Sequence, residues 1–241
     1  MTRAPNIEAS SRPTSTPPSV TRSAGLRRRS LTSPRGVFVT VEGLDFCGKS
    51  TLVASLKQNL NGTHFTREPG GTPAAERIRE VLLDPEIDMD TWTEAYLYAA
   101  ARADHVKREI SPRLQNGEHV LCERYLDSSV AYQGYGRGLG ATAVRDLNAS
   151  AVGATIPDKT FYLRLEASER ERRARELGAP LDRLELVGAE FMSRVEAGFE
   201  EIIEAESERI TVLDAKLPPE ELSAMVLDEI QRLQTRGDDI G

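Results

Sequence analysis

Nine residues, GLDFCGKST (43–51), constrain the fold of this chain more than any other stretch. Two glycines five positions apart stand before Lys49 and Ser50, and the backbone N–H groups of such a loop can converge on phosphate oxygens. A β-branched run (36–42) precedes the loop, and apolar residues at helical spacing (50–60) follow it. A strand, a glycine loop and a helix in this order predict a phosphate site, in which Lys49 reaches the outer phosphates and the Ser50 hydroxyl binds Mg²⁺.

The rest of the chain alternates between strand-like and helix-like segments. Short apolar or β-branched runs predict strands at 64–68, 119–124, 159–165 and 209–214. Amphipathic patterns predict helices at 74–83, 91–114, 142–152, 166–177, 188–206 and 218–233. The helix at 91–114 is expected to be capped by Thr91 and stopped by Asn116-Gly117. Strands that alternate with helices predict an α/β fold of three layers, a five-stranded parallel sheet with helices on both faces.

The formal charge of the chain, −7 in total, is unevenly distributed. Residues 1–35 hold seven arginines and one acid, a charge of +6, so the remaining residues carry −13. The Ser-, Thr-, Pro- and Arg-rich composition of residues 1–35 predicts a disordered tail ahead of a domain at 36–236. An organelle transit peptide is the alternative, and the prolines and the missing amphipathic stripe argue against it.

The composition also argues against several classes of protein. An acidic body does not suggest a broad nucleic-acid surface, and no apolar run is long enough to cross a membrane. The chain shows no apolar signal-peptide core, and its two cysteines fit a reducing interior better than a disulfide scaffold. We therefore expect a cytoplasmic protein without membrane or nucleic-acid partners.

Two motifs between the loop and the third predicted strand suggest further ligand contacts. TREPGG (66–71) ends the second predicted strand, where a parallel sheet presents its ligand edge, although a Pro-Gly turn with solvated charges is the simpler interpretation. In YLYAAARADHV (96–106), Tyr98 and Arg102 share a helix face, so an aromatic plane and a bidentate donor could together hold a base. A core tyrosine and a surface arginine are the usual explanation of such a pair.

The segment CERYLDSSVAYQ (122–133) follows the third predicted strand. Glu123 is placed to interact with the Mg²⁺ region, and the planar fork of Arg124 suits a second phosphate. A polar cluster that could read a base edge comes next, formed by Ser128, Ser129, Tyr132 and Gln133. A solvated loop is the weaker interpretation, because the glycine loop stands upstream.

Five arginines fall within 169–183: Arg170, Arg172, Arg173, Arg175 and Arg183. The acids interleaved with them are typical of a solvated helix with i,i+4 ion pairs. The alternative is a mobile lid, around 168–184, that closes arginines over a transferring phosphoryl group.

These motifs, in this order, resemble the bacterial branch of the thymidylate kinase family, whose members phosphorylate dTMP to dTDP with Mg-ATP. REPGGT (67–72), the Glu-Arg-Tyr segment with SSVAYQG (128–134), and LDRLE (181–185) carry the resemblance. It runs from about Gly36 to the C-terminal helix. The resemblance implies a P-loop NTPase fold, ATP as phosphoryl donor, Mg²⁺, dTMP as acceptor, a role in dTTP synthesis, and a homodimer formed through helices beside the sheet.

The resemblance also assigns roles to individual residues. The ATP phosphates are expected on Gly43, Leu44, Asp45, Phe46, Cys47, Gly48, Lys49, Ser50 and Thr51. Tyr98 would stack on thymine and Arg102 would donate to its O4, while Asp45 would bond the 3′-hydroxyl. Further dTMP contacts are expected from Glu68, Pro69, Arg79, Arg124, Ser128, Ser129, Tyr132 and Gln133. Catalysis is assigned to Lys49, Glu123, Arg124, Arg173 and Arg175, and Mg²⁺ binding to Ser50 and Glu123.

Three positions depart from the family pattern. Glu123 stands where the family usually has aspartate, which adds a methylene to the acid beside the metal. Phe46 stands where members carry arginine or glycine, so the charge is expected to come from the lid, from Arg173, Arg175 or Arg183. Cys47 replaces a small residue, and inert packing is favoured over a reactive thiol at a helix N-terminus.

Two alternative functions stay open on the sequence. One is a kinase for another pyrimidine (deoxy)nucleotide, such as dUMP. The other is a non-catalytic nucleotide sensor, which Glu123 and Phe46 favour. The presence of acceptor-site and lid residues in one chain makes the enzyme the preferred hypothesis.

Overall fold

The computed structural model of the chain describes residues 35–178 and 183–238, and at its centre lies a sheet of five parallel strands. The strands are β1 (Phe38–Glu42), β2 (Thr63–Arg67), β3 (His119–Glu123), β4 (Lys159–Arg164) and β5 (Ile210–Asp214). Their order across the sheet is β2-β3-β1-β4-β5. The predicted five-stranded parallel sheet is confirmed, with each strand within two residues of its predicted bounds.

Nine helices surround the sheet in the described part of the chain. They are α1 (Lys49–Asn59), α2 (Pro73–Leu83), α3 (Thr91–His105), α4 (Ser111–Gln115), α5 (Leu126–Ser129), α6 (Ala141–Val152), α7 (Ala167–Leu177), α8 (Ala189–Ala205) and α9 (Pro219–Asp238). Two π-helical turns, Val106–Ile110 and Val130–Gly136, and a 3₁₀ turn, Glu185–Val187, complete the helical segments. Among the helices in these ranges, none combines the length and the apolar character that a membrane crossing needs.

The predicted long helix at 91–114 differs from the structure in two details. Asp90, not Thr91, is the N-cap, because its backbone is extended and its side chain accepts a hydrogen bond from the Trp92 N–H. The helical path is also interrupted by the π turn Val106–Ile110. Pro112 lies two residues beyond the turn and has no N–H to donate to the carbonyl four residues back.

The sheet is covered on both faces because neighbouring strand residues point to opposite sides. Val39, Val41, Leu121, Phe161 and Leu163 pack on one side with α1 and α9. On the other side the strands meet the π turn at Val106–Ile110, α4, α6 and α8 in two further apolar clusters. The predicted three-layer arrangement is therefore confirmed.

Parallel pairing aligns the carboxyl ends of three strands. Val41 of β1 lies opposite Glu123 of β3, and Arg67 of β2 lies opposite the same Glu123. The segments that follow β1, β2 and β3 therefore leave the sheet side by side. These segments are the glycine loop, the REPGG turn and the stretch beginning with Arg124.

Two predicted features fall wholly or partly outside the described residues. Of the tail predicted at 1–35, only Arg35 is described, and its guanidinium pairs with Asp158 at 2.9 Å. Of the lid predicted around 168–184, α7 and residues 183–184 are described, and 179–182 lie outside. Both the tail and the lid stay predictions.

Candidate functional site

A cavity of about 730 Å³ opens at the carboxyl edge of the sheet, where β1, β2 and β3 end. Its walls come from the glycine loop, the REPGG turn, α2, α3, the segment 123–133 and α7. Cationic side chains dominate its polar lining: Lys49, Arg67, Arg79, Arg102, Arg124, Arg172 and Arg173. Convergent positive charge in an acidic protein is suited to an anionic ligand.

Most residues predicted for the site line this one cavity. They are Asp45, Phe46, Gly48, Lys49, Ser50, Thr51, Glu68, Pro69, Arg79, Tyr98, Arg102, Glu123, Arg124, Ser128, Ser129, Tyr132, Gln133 and Arg173. Three other residues of the loop, Gly43, Leu44 and Cys47, do not line the cavity. Leu44 and Cys47 are buried in the apolar core. The structure does not bring Arg175 to the cavity wall: it is 71% exposed on α7, 4.0 Å from Glu171.

The glycine loop turns sharply above the first residue of α1. Gly43 has a φ of 144°, and a side chain there would meet Cys47 Sγ and the Leu163 carbonyl at 2.8 Å, so the position requires glycine. The ammonium group of Lys49 donates to the Leu44 carbonyl at 2.7 Å and lies 3.9 Å from Asp45. The lysine is thus held beneath the loop whose N–H groups would surround a phosphate.

Phe46 occupies the crest of this loop in a left-handed backbone conformation, with a φ of 63°. Such a φ is costly for a bulky side chain and is ordinarily supplied by glycine. The half-buried ring lines the cavity without contributing a charge. The loop therefore carries backbone strain at the position where the family pattern has arginine or glycine.

An ion pair between Asp45 and Arg124 lies at the centre of the cavity. Arg124 Nη2 donates to Asp45 Oδ1 in a short contact, and the Tyr132 hydroxyl donates to Asp45 Oδ2 at 3.1 Å. Burial works to raise the pKa of Asp45, but the charges of Arg124 and Lys49 hold it below its ordinary value. Burial alone would lower the pKa of Arg124, and Asp45 raises it above its ordinary value. Both side chains are therefore charged at neutral pH.

Ser50 and Glu123 form the predicted metal-binding pair. The Ser50 hydroxyl donates to Glu123 Oε1 at 2.9 Å, which joins the first turn of α1 to the end of β3. Hydroxyl and carboxylate oxygens are hard ligands that suit Mg²⁺, which takes few protein ligands and completes its shell with water and phosphate. In the described residues no group of three or more His, Cys, Asp or Glu side chains could hold a metal.

The far end of the cavity is formed by α2, α3 and the REPGG turn. Arg79 of α2 lines the cavity and donates to the Pro69 carbonyl at 2.9 Å. Arg102 is 2% exposed, and its guanidinium donates to Glu68, Asn148 and the Tyr125 carbonyl. Glu68, expected only to line the pocket, thus also fixes the orientation of Arg102.

The arginines of the predicted lid lie in different places. Arg173 of α7 reaches the glycine loop, where it donates to the Cys47 carbonyl at 3.5 Å and to the Ala215 carbonyl at 3.0 Å. Arg172 lines the cavity, although it had not been singled out as catalytic. Arg183 instead contacts Glu94 at 2.7 Å and the Leu82 carbonyl at 2.9 Å, beside α2 and α3. Arg173 is the lid arginine that the fold brings to the loop.

Two buried glutamates near the cavity were missed by the sequence analysis. Glu42 ends β1, is 1% exposed, and accepts hydrogen bonds from the Tyr125 N–H at 2.7 Å and the Ser128 hydroxyl at 2.5 Å. Glu94 of α3 is fully buried and accepts from Gln133. Each had a weak signal: Glu42 directly precedes the glycine loop, and Glu94 stands one helical turn before Tyr98.

Both cysteines lie in the described part of the chain and are free and buried. Cys47 is 1% exposed, as inert packing requires. Cys122 Sγ is 3.1 Å from the Arg124 carbonyl, and burial raises the pKa of this thiol above its ordinary value.

Comparison with known proteins places this chain in a family. A family model described as thymidylate kinase matches residues 41–226. A thymidylate kinase of Deinococcus radiodurans is 43% identical over 196 residues, covering 80% of this chain and 95% of that protein. A thymidylate kinase of Chlorobaculum parvum is 41% identical over 214 residues, covering 84% and 99%. The crystal structure of thymidylate kinase from Ehrlichia chaffeensis aligns with a TM-score of 0.65 at 28% identity, covering 82% of this chain and 99% of that one.

The strain at Phe46 predicts an inverted order of stability between two substitutions. At an ordinary position alanine is more stable than glycine, but a φ of 63° penalises any side chain. Phe46→Gly should therefore exceed Phe46→Ala in the free energy of unfolding by about 1 kcal/mol, measured by urea denaturation. Ala197, exposed on α8, is the control, because Ala197→Gly should lose about 1 kcal/mol. Phe46→Ala exceeding Phe46→Gly would show that the loop is not strained.

The raised pKa of Glu42 predicts that the difference in stability between Glu42→Gln and the parent protein depends on pH. Burial, followed by the negative charge of Asp127, raises the pKa of Glu42 from 4.5 to about 7. The folded protein therefore holds this proton more tightly than the unfolded chain, and its stability falls as pH rises from about 5 to about 8. Glu42→Gln removes this fall in stability with pH, because a glutamine side chain does not titrate. Its free energy of unfolding, relative to the parent protein, should rise by up to about 3 kcal/mol across this range.

Urea denaturation at both ends of the pH range measures the effect of Glu42→Gln. The matched control is Glu204→Gln, at an exposed position on α8, whose difference from the parent protein should be the same at both pH values. A pH-independent difference for Glu42→Gln would contradict the proton assignment.

Proposed function

The chain belongs to the thymidylate kinase family and phosphorylates dTMP with ATP, and we propose that the cavity at the carboxyl edge of its sheet performs this transfer. One observation carries the proposal. The glycine loop and the residues expected to hold dTMP line a single cavity, with the Asp45–Arg124 pair between them. Two nucleotides bound at its two ends would have their phosphates facing each other.

The ATP phosphates are proposed to bind at the loop. Lys49 and the N-terminus of α1 would neutralise their charge, and Arg173 would add a positive charge from the lid. Ser50 and Glu123 would hold Mg²⁺, which neutralises phosphate charge in enzymes of this kind. Glu123 retains the carboxylate of the usual aspartate, and its contact with Ser50 supports this role.

The nucleoside end of dTMP is proposed to lie against α3 and the segment 128–133. Tyr98 would stack on thymine, and Arg102, Ser129 and Gln133 would contact the base. Asp45 and Tyr132, already joined by a hydrogen bond, would contact the sugar. Because Asp45 and Tyr132 already hold each other in place, they would fix the acceptor without a large rearrangement.

The acceptor phosphate is proposed to lie beside Arg79 and Arg124. A phosphate oxygen is already an anion at neutral pH, so the reaction needs no strong general base. The side chains act by placing donor and acceptor in line, by neutralising charge, and by excluding water. Because dTDP is the product, the protein is proposed to act in dTTP synthesis in the cytoplasm.

Substitutions at Lys49 and Glu123 test this division of labour. Lys49→Ala should lower kcat for dTDP formation by about 100- to 1,000-fold, because it removes the positive charge that lies beside the phosphoryl group during transfer. Glu123→Asp should retain activity, while Glu123→Gln should lose activity and need more Mg²⁺. The measurement is a coupled assay with dTMP and Mg-ATP, alongside calorimetric binding of dTMP.

Binding of dTMP should survive in all three variants, because neither residue lies at the base end of the cavity. Collapse of activity in Glu123→Asp would show that this acid does not act at the metal. A parent protein that binds dTMP but forms no dTDP would instead be a nucleotide sensor.

A homodimer is also proposed, formed through α3 and its neighbour α2. Trp92 and Tyr96 are 38% and 58% exposed on one side of α3, and Val81 of α2 is 39% exposed. Helices beside the sheet are the expected interface in this family, and exposed apolar side chains there would be covered by a second copy.

Light scattering after size exclusion tests the dimer. The parent protein should have twice the monomer mass, and Tyr96→Glu should be monomeric, because it would bury a charge in the interface. Met225→Glu is the matched control: Met225 is 49% exposed on α9, away from the proposed interface, and its charge should leave the dimer intact. A Tyr96→Glu variant that stays dimeric would place the interface elsewhere.

A further inference from the structure

Glu94 is a fully buried carboxylate behind the base end of the cavity. It stands four residues before Tyr98 and eight before Arg102 on α3, so the three side chains share one face of the helix. Tyr98 and Arg102 line the cavity, whereas Glu94 lies behind Gln133 and does not line it. Its position suggests that it acts on a ligand through Gln133.

Three donor side chains surround the Glu94 carboxylate. Gln133 Nε2 donates to Oε1 at 2.9 Å, and the shortest arginine contacts, from Arg137 Nη2 and Arg183 Nη1, go to Oε2 at 2.8 and 2.7 Å. Arg137 Nε adds two longer contacts, 3.3 Å to Oε1 and 3.2 Å to Oε2. Two guanidinium groups satisfy a buried carboxylate that would otherwise be costly. Because only donors face the Glu94 carboxylate, both of its oxygens act as acceptors.

The carboxylate decides which way the Gln133 amide points. The two ends of a glutamine amide are nearly equal in size but opposite in chemistry, so neighbouring donors and acceptors choose between them. An acceptor-only oxygen at 2.9 Å requires the NH₂ end of Gln133. The carbonyl oxygen is then the end available to the cavity, which Gln133 lines while only 1% exposed.

We propose that Glu94 is a positioning residue that fixes Gln133 as a hydrogen-bond acceptor and so selects keto pyrimidines over cytosine. The inference rests on the proposed function, which puts the base of the acceptor nucleotide against Tyr98, Arg102 and Gln133. Thymine and uracil carry an N–H at ring position 3 beside a carbonyl oxygen. Cytosine carries an unprotonated nitrogen at that position, beside an amino group.

Arg102 and Gln133 together match the hydrogen-bonding pattern of thymine and uracil and oppose that of cytosine. Arg102 offers donors only, which suits the carbonyl, and the Gln133 oxygen accepts from the ring N–H. Against cytosine, both contacts set like groups against each other, at side chains that are only 2% and 1% exposed. Unpaired polar groups in such a site are what allow an enzyme to reject a near-isostere.

Glu94→Gln is the sharpest test, because it changes one oxygen into an NH₂ group without changing shape. The two arginines would keep the carbonyl of the new side chain at the Oε2 position, which leaves its NH₂ group facing Gln133. The Gln133 amide must then turn over and offer its own NH₂ group to the cavity. The ratio of the Kd of dCMP to that of dTMP, measured by calorimetry, should fall by about 10- to 100-fold.

A reciprocal exchange provides the rescue. In Glu94→Gln combined with Gln133→Glu, the NH₂ group at position 94 donates to the carboxylate at 133, whose second oxygen faces the cavity as an acceptor. The exchange keeps one carboxylate and the two arginines, so the buried charge is unchanged. The double variant should recover a preference for dTMP over dCMP. The matched control, Glu190→Gln, removes a 93% exposed carboxylate on α8 and should leave the ratio unchanged.

Three results would overturn the inference. The first is a folded Glu94→Gln variant that keeps the parent ratio. The second is equal weakening of both ligands without recovery in the double variant, which would make Glu94 only structural. If the single variant fails to fold, the third is a folded double variant that binds both nucleotides equally. Tyr98→Ala separates this inference from the proposed function, because unchanged dTMP binding in that variant would remove the base from this cavity altogether.

Discussion

The site depends on the parallel register of three strands. Because Val41, Glu123 and Arg67 are neighbours across β1, β3 and β2, the chain leaves all three strands at one edge of the sheet. Side chains far apart in sequence thereby line one cavity, and the hydrogen bond between Ser50 and Glu123 is one consequence. A backbone ladder fixed by a buried core holds these positions more firmly than loops alone could.

Three buried glutamates support the cavity, Glu68 from its wall and Glu42 and Glu94 from behind it, and each one orients a different part of that wall. Glu42 holds the turn after Arg124 through the Tyr125 N–H, Glu68 holds Arg102 at 2.8 Å, and Glu94 holds Gln133 at 2.9 Å. A buried carboxylate is costly unless donors surround it, so each of these acids strongly constrains the geometry of its partners. The wall of the cavity is therefore preorganised by buried acids, while lysine and arginine side chains supply most of the charge that lines it.

Backbone strain is concentrated in the same place. In the described part of the chain, the non-glycine residues with positive φ are Phe46 and Arg124, both at 63°, and both line the cavity. The conformation of Arg124 places its guanidinium between Asp45 and the Gly43 carbonyl. The conformation of Phe46 does not place its side chain in a comparable hydrogen bond. The strain at Phe46 is therefore a consequence of the backbone turn that the loop makes there. Arg173 of α7 lies beside the same loop, with its guanidinium 3.5 Å from the Cys47 carbonyl.

The sequence by itself determined the order of strands and helices and the chemistry of most cavity residues, because periodicity and the glycine frame are local signals. The π turn before Pro112 and the capping role of Asp90 were missed, since small differences in local hydrogen bonding decide them. Only the tertiary structure separated Arg173 from Arg183, because two arginines ten residues apart look alike until packing sends one to the loop and the other to Glu94. It alone also revealed Glu42 and Glu94 as supports, since burial and donor geometry are properties of the packed chain that no single segment encodes.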